Sequence, residues 1–168
     1  MTTIAVLVGN PQPASRTTRV AEEVAARIAE RVGGRVLPAI ELAGVADRVF
    51  AFPEPEVDAL LEQVASADLV VVASPTYKAA YTGLLKAFLD RCGADGLAGV
   101  IAVPVLTIGA PTHALAVEHT LRPLLVELGA SVPTRGVAFP AAETDDRARL
   151  VGEWLEGQWP SLEPLLTR

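Results

Sequence analysis

Leu69-Val70-Val71-Val72-Ala73-Ser74-Pro75-Thr76-Tyr77-Lys78-Ala79-Ala80-Tyr81-Thr82-Gly83-Leu84-Leu85-Lys86-Ala87-Phe88-Leu89-Asp90-Arg91-Cys92 decides the fold. The stretch opens on a strand, predicted over Asp68 to Ala73, whose apolar run has no polar alternation. A strand of that kind must be covered on both faces. It closes on a helix predicted over Ala79 to Cys92. There Tyr81, Leu84, Leu85, Phe88, Leu89 and Cys92 fall at i, i+3, i+4, i+7, i+8 and i+11, and Gly93 stops the pattern.

The same alternation continues in both directions. Upstream, Ile4-Ala5-Val6-Leu7-Val8 is a buried strand ending at Gly9. Thr17 to Arg31 reads as a helix on Val20, Val24 and Ile28, closed by Gly33-Gly34. Arg35 to Ile40 is a shorter strand, and Pro55 to Ala67 a helix on Val57, Leu60, Leu61 and Val64. Downstream lie a strand over Val100 to Ile108, a helix over Thr112 to Leu128, a strand within Ser131 to Phe139, and a helix over Thr144 to Trp159. Five strands joined by helical crossovers make a parallel sheet with helices on both faces. The expected fold is a flavodoxin-like, three-layer, doubly wound α/β sandwich with strand order 2-1-3-4-5. One residue conflicts with this reading. Pro104 sits inside the fourth strand and cannot donate to a ladder, so the strand either is irregular there or begins after it.

A length of 168 residues suits a single domain spanning 1–168, large enough to bury a core without staples. The single cysteine, Cys92, cannot form an internal disulfide, which fits a reducing cytoplasm. No basic segment precedes an apolar one at the N-terminus, and no run of ~18 apolar residues suggests a membrane span. The formal net charge of -6, with scattered arginines, argues against nucleic acid as a partner. It does not argue against a small anion, which local N–H groups and one or two arginines can hold.

In an open α/β sheet, ligands bind beyond the carboxyl ends of the strands, at the switch point of strand order. That rule selects Gly9 to Thr18, Ser74 to Tyr81 and Gly109 to His113. The first loop, Gly9-Asn10-Pro11-Gln12-Pro13-Ala14-Ser15-Arg16-Thr17-Thr18, is rich in hydroxyls, carries an arginine and enters a helix. A monophosphate site needs those features, and an ordinary capped βα loop has several of them too. Neither G-x-G-x-x-G nor a Walker A sequence is present. In the second loop Tyr77 can lie against a planar ring, or simply pack on a neighbour. His113 and His119 stand six residues apart with no cysteine near, so no metal site is expected.

Ser74-Pro75-Thr76-Tyr77 followed by Gly83, Leu85 and Lys86 resembles the S-P-x-Y-x-x-x-x-x-G-x-L-K signature of the NAD(P)H-dependent FMN reductases. Gly9-Asn10-Pro11 through Ser15-Arg16-Thr17 is similar to that family's phosphate loop. His113 to Pro123 resembles the reductases of two-component alkanesulfonate and methanesulfonate monooxygenase systems. The matches lie in register over residues 1 to about 139. The resemblance implies FMN at the three loops, with NADPH or NADH as reductant. Gly9, Asn10, Ser15, Arg16 and Thr17 belong to the implied phosphate loop. Pro75, Thr76, Tyr77 and Lys78 would lie along the isoalloxazine, and Gly109 would let the backbone approach its pyrimidine side. Asn10 stands where serine is usual, and Ala110 replaces the second glycine of a usual pair. The implied chemistry is hydride transfer between cofactors, which requires no catalytic acid or base on the protein.

Pro123 falls inside the fourth predicted helix and collides with the carbonyl of His119, so a kink or a one-residue π-bulge is expected there. The sulfonate-type relatives carry a π-type insertion at this place, usually with tyrosine, in a helix at a subunit interface. By resemblance the chain would form a homodimer or homotetramer, with His119 at the interface influencing flavin exchange. It would supply reduced flavin to a monooxygenase. Two other readings share the fold and loops: a quinone, azo-dye or metal-ion reductase that keeps FMN bound, and a non-enzymatic flavodoxin-like electron carrier.

Overall fold

A computed structural model describes residues 1–167. In chain order it contains β1 (Thr3–Val8), α1 (Arg16–Val32), β2 (Arg35–Val36), β3 (Ile40–Glu41), α2 (Pro55–Ala65), β4 (Leu69–Pro75), α3 (Gly83–Leu89), β5 (Ile101–Ile108), α4 (Arg122–Glu127), β6 (Val137–Pro140) and α5 (Arg147–Leu166). Every strand pair is parallel, in the order β2-β1-β4-β5-β6, with β3 also on β1. Thr3 pairs with Arg35 and Leu7 with Ile40, so β2 and β3 are two pieces of one edge strand. The predicted second strand is therefore interrupted at Leu37-Pro38-Ala39, where Pro38 brings no donor. Counted as one strand, the two pieces give the expected order 2-1-3-4-5.

The strands alternate between two cores, as side chains of period two must. Ala5, Leu7, Val70, Val72, Ala102 and Leu106 face one side, where Val57 and Val64 of α2 and Leu85 and Phe88 of α3 cover them. Ile4, Val6, Val8, Leu69, Val71 and Val103 face the other, under Val20, Val24 and Ile28 of α1 and Val151 and Leu155 of α5. Both faces are buried, which is why these strands carry continuous apolar runs.

Pro104 lies within an unbroken β5 and is aligned with Val72 of β4. Backbone nitrogens along β5 point alternately to either side: Ile101 N–H donates to Asp68 O on the β4 side, and Ala102 N–H donates to Ser131 O on the other. Pro104 shares the direction of Ala102. On that side β6 begins only at Val137, opposite Val105. The missing donor therefore falls in the gap between the Ser131 bridge and β6, and no ladder bond is lost.

Three helices depart from their predicted bounds by more than two residues. The helix expected from Ala79 starts at Gly83. Tyr77 and Ala80 instead exchange N–H···O bonds of 2.9 and 3.2 Å around Lys78 and Ala79, both at positive φ (52° and 66°). This is the pattern of a type I′ turn. Thr82 is the N-cap that sets the later start, accepting from Leu85 N–H at 3.2 Å. The fourth predicted helix is split into a 3₁₀ turn at Pro111–His113, a π-helical turn at Val117–Leu121, and α4. Arg122 N–H donates to Val117 O, the five-residue span of a π turn. The bulge expected around His119 is thus present, immediately before Pro123. The last helix runs past Trp159 to Leu166, because Leu162 is fully buried and Leu165 and Leu166 pack on the α1 side of the sheet.

Candidate active site

Val8 aligns with Ala73, and Pro75 with Thr107, so the ends of β1, β4 and β5 stand side by side. Their loops enclose a cleft of about 420 Å³, within the ~300–1,000 Å³ range of small-molecule sites.

The α1 side of the cleft is formed by Asn10, Ser15, Arg16 and Thr17. Asn10 folds the loop: its Oδ1 accepts from Gln12 N–H at 2.9 Å, and its Nδ2 donates to Thr17 Oγ1 at 3.2 Å. Ser15 caps α1, its Oγ accepting from Thr18 N–H at 3.1 Å. The first N–H groups of a helix have no intrahelical acceptor. Thr18 N–H goes to Ser15 Oγ and Arg19 N–H to Ser15 O, so those of Arg16 and Thr17 remain for a ligand. Thr17 is buried, and its hydroxyl lies 2.8 Å from that of Thr107. What Thr17 offers the cleft is its N–H rather than its hydroxyl. Arg16 is exposed, and its Nη1 reaches Ala141 O at 3.3 Å across the cleft mouth. Arg19, not anticipated from the sequence, adds a second guanidinium to the lining.

Pro75, Thr76 and Tyr77 form the opposite wall, and Tyr77 is half-exposed. Thr76 N–H is fixed to Thr107 O at 2.9 Å, whereas its buried Oγ1 has no hydrogen-bond partner. A buried hydroxyl without a partner is costly unless a ligand completes it. Gly109 closes the site, and a Cβ there would meet nothing within 4 Å. A side chain at 109 would therefore occupy open space beside the cleft.

Gly9 and Lys78 do not line the cleft. A Cβ on Gly9 would come within 2.5 Å of Leu85 Cβ, and Gly9 O accepts from Thr82 Oγ1 at 2.5 Å. Gly9 therefore serves the close approach of β1 to α3. Lys78 occupies the turn that presents Tyr77. His119 is exposed on the π turn and lines neither this cleft nor the apolar pocket of about 440 Å³ that meets it at Gly109. Thr107 was legible in principle, because it stands next to the end of a strand that feeds the switch point. Arg19 is one turn into α1, where helical spacing returns it to the face of Arg16. Among the described residues, no group of three or more His, Cys, Asp or Glu could hold a metal ion.

The cleft thus joins two free helix-terminal N–H groups and two guanidinium groups, which suit a phosphate, to a tyrosine ring and an unpartnered hydroxyl, which suit a flat heteroaromatic ring. FMN carries both parts, and the residues present fit it.

The fold and this placement define a flavodoxin-like α/β protein. The family model described as "NADPH-dependent FMN reductase" matches residues 2–144, and the chain belongs to that family. It is 32% identical over 160 residues to "FMN reductase (NADPH)" of Pseudomonas aeruginosa, covering 92% of this chain and 84% of that one. It is 41% identical over 86 residues to "FMN reductase (NADPH)" of Escherichia coli K12. That match covers 51% of this chain and spans under half, 45%, of the relative's length. Among solved structures, an NADH:FMN oxidoreductase (EMOB) in its apo form superposes with a TM-score of 0.84 at 28% identity, covering 94% of this chain and 88% of that one. No helix among the described residues is long and apolar enough to cross a membrane.

Proposed function

We propose that this chain, acting as one domain, oxidises NADPH or NADH and reduces FMN, with FMN entering and leaving as a substrate. The observation that carries the reading is the cleft itself. The free N–H groups of Arg16 and Thr17 share it with the unpartnered hydroxyl of Thr76 and the face of Tyr77. When bound, FMN supplies an acceptor for the hydride of reduced nicotinamide.

In this reading the N–H groups of Arg16 and Thr17, the hydroxyl of Ser15 and the guanidinium groups of Arg16 and Arg19 hold the phosphate. Asn10 keeps the loop in shape through Gln12 and Thr17. Pro75 and Tyr77 orient the ring system, Thr76 donates to one of its heteroatoms, and Gly109 leaves room for its edge. Gly9 and Lys78 act indirectly, through α3 packing and the Tyr77 turn. The half-exposed Tyr77 favours exchange of the flavin over permanent retention.

The reading extends to a homodimer or homotetramer in the cytoplasm that passes reduced FMN to a monooxygenase. The π turn at Val117–Leu121 supports this part, being the feature by which the sequence resembles the sulfonate-type reductases. Leu115, His119 and Val126 are exposed along this segment, as an assembly contact requires. His119→Ala is expected to weaken the oligomer and change the FMN dissociation rate. An unaltered mass in solution and an unaltered rate would contradict that role.

The test is oxidation of NADPH and of NADH by the purified protein in air, with and without FMN. Turnover that requires added FMN and saturates with it supports the proposal. Turnover by a yellow protein without added FMN would mean a bound prosthetic group and another acceptor. FMN binding without turnover would make the chain a carrier.

A further inference from the structure

We infer that Glu41 sets the affinity of the cleft for the flavin phosphate, bracing the loop that receives it while competing with it for hydroxyl protons. The inference rests on the phosphate reading proposed above. Glu41 ends β3, on the edge strand beside β1, and its Oε1 accepts from Ala14 N–H at 2.9 Å and from Thr18 Oγ1 at 2.6 Å. Both partners are neutral donors, so neither offsets a negative charge on the carboxylate.

Counting protons shows where the loop's donors point. The single proton of Thr18 goes to the carboxylate, which can only accept. Thr18 Oγ1 also lies 3.1 Å from Ser15 Oγ, and in that contact Ser15 must therefore be the donor. The Ser15 hydroxyl thus feeds a relay that ends on Glu41. Ala14 stands at φ 50°, a left-handed conformation disfavoured for alanine, and its N–H is fixed by the same carboxylate oxygen. Glu41 holds the turn into α1 in the shape that exposes the N–H groups of Arg16 and Thr17. A phosphate arriving there must draw the Ser15 proton out of the relay, and it meets a negative charge two hydrogen bonds from Ser15. The loop is preorganised and at the same time weakened as an anion site. A flavin that has to leave after each turnover requires that combination.

Glu41→Gln keeps an acceptor oxygen for Ala14 and Thr18 and removes the charge, whereas Glu41→Ala removes both. Dissociation constants for FMN and for riboflavin, which lacks the phosphate, are read from quenching of flavin fluorescence. Inhibition by inorganic phosphate against FMN is measured in parallel. For E41Q, FMN binding should tighten about three- to tenfold, as one like charge removed at short range implies. Phosphate should inhibit at correspondingly lower concentration, and riboflavin binding should stay unchanged. E41A should bind FMN more weakly than E41Q. Unchanged or weaker FMN binding in E41Q, or equal tightening for riboflavin, would overturn the competition. E41A matching E41Q would overturn the bracing. A wild-type protein that binds FMN and riboflavin equally and ignores phosphate would instead remove the phosphate site on which the inference stands.

Discussion

Gly9 shows how a residue in a binding loop can be fixed by the core beneath it rather than by a ligand. Its missing side chain allows β1 to approach α3 so closely that a Cβ would fall 2.5 Å from Leu85 Cβ. Gly9→Ala should destabilise the protein by about 1–3 kcal/mol, the usual cost of forcing atoms into a filled core. In thermal unfolding that is a drop of roughly 2–4 °C per kcal/mol for a chain of this size; an unchanged midpoint would contradict the packing role. Cys92 is a second residue whose environment decides its behaviour. Burial, reinforced by Asp90, pushes its thiol pKa up to about 11. At pH 8 the native thiol should react with a disulfide reagent roughly 100-fold more slowly than in the unfolded chain, because the thiolate is the nucleophile. Equal rates would show that Cys92 is not shielded.

The roles of single residues were unevenly legible in the sequence. Ser15 could be read as a cap and anion ligand, because its type and its place before an amphipathic helix both point there. Thr17 could be assigned to the same loop, but its link to Thr107, 90 residues away, has no local signature. Glu41 was invisible for the same reason. Nothing in its neighbours says that β3 will deliver its carboxylate to Ala14 and Thr18.

Among the elements, the π turn is the most constrained. Pro123 excludes a regular helix at His119, and the extra residue is stabilised by a clamp on the loop before β6. Glu118 Oε1 accepts from Gly136 N–H at 2.6 Å, and Glu118 Oε2 accepts from Arg122 Nε at 2.5 Å. Arg122 also donates to the carbonyls of Val132 and Thr134. The hydrogen bond from Arg122 leads in holding the Glu118 carboxyl below the usual glutamate range; burial works against it, and the Gly136 N–H adds to the lowering. A lowered folded-state pKa contributes stability that is present above the unfolded value and is lost as pH falls through the folded one. Glu118→Gln should therefore lower the thermal midpoint at pH 7 by several degrees, from about 1–2 kcal/mol of lost charge-assisted bonding. The difference from wild type should shrink once the pH drops below the ordinary glutamate pKa. A difference that persists unchanged in acid would contradict the clamp.

The turn at Tyr77 to Ala80 is a second constrained element. Helical periodicity from Tyr81 onward concealed it, because Ala79 and Ala80 are good helix formers. Two left-handed residues, Lys78 and Ala79, are strained there. Ala79→Gly should relieve part of that strain and raise the midpoint by the equivalent of about 0.5–1 kcal/mol, after the entropy of glycine is counted. A lowered midpoint would argue that Ala79 is not strained.

For the whole molecule, the layered sheet could be read from the sequence because strands buried on both faces leave continuous apolar runs. The strand order followed from the count of βα units. The interruption of the edge strand at Pro38 and the tolerance of Pro104 could not be read, since both depend on which neighbour each backbone nitrogen faces. The site's location followed from the switch-point rule, whereas its opposite wall depended on the late start of α3.

A crystal structure of the protein with FMN tests the central claim most directly. The account predicts the phosphate on the N–H groups of Arg16 and Thr17, the ring system against Tyr77, and a hydrogen bond from Thr76 Oγ1 to a ring heteroatom. A phosphate bound away from the α1 N-terminus, or a flavin in a different pocket with Thr76 Oγ1 still unpartnered, would contradict it.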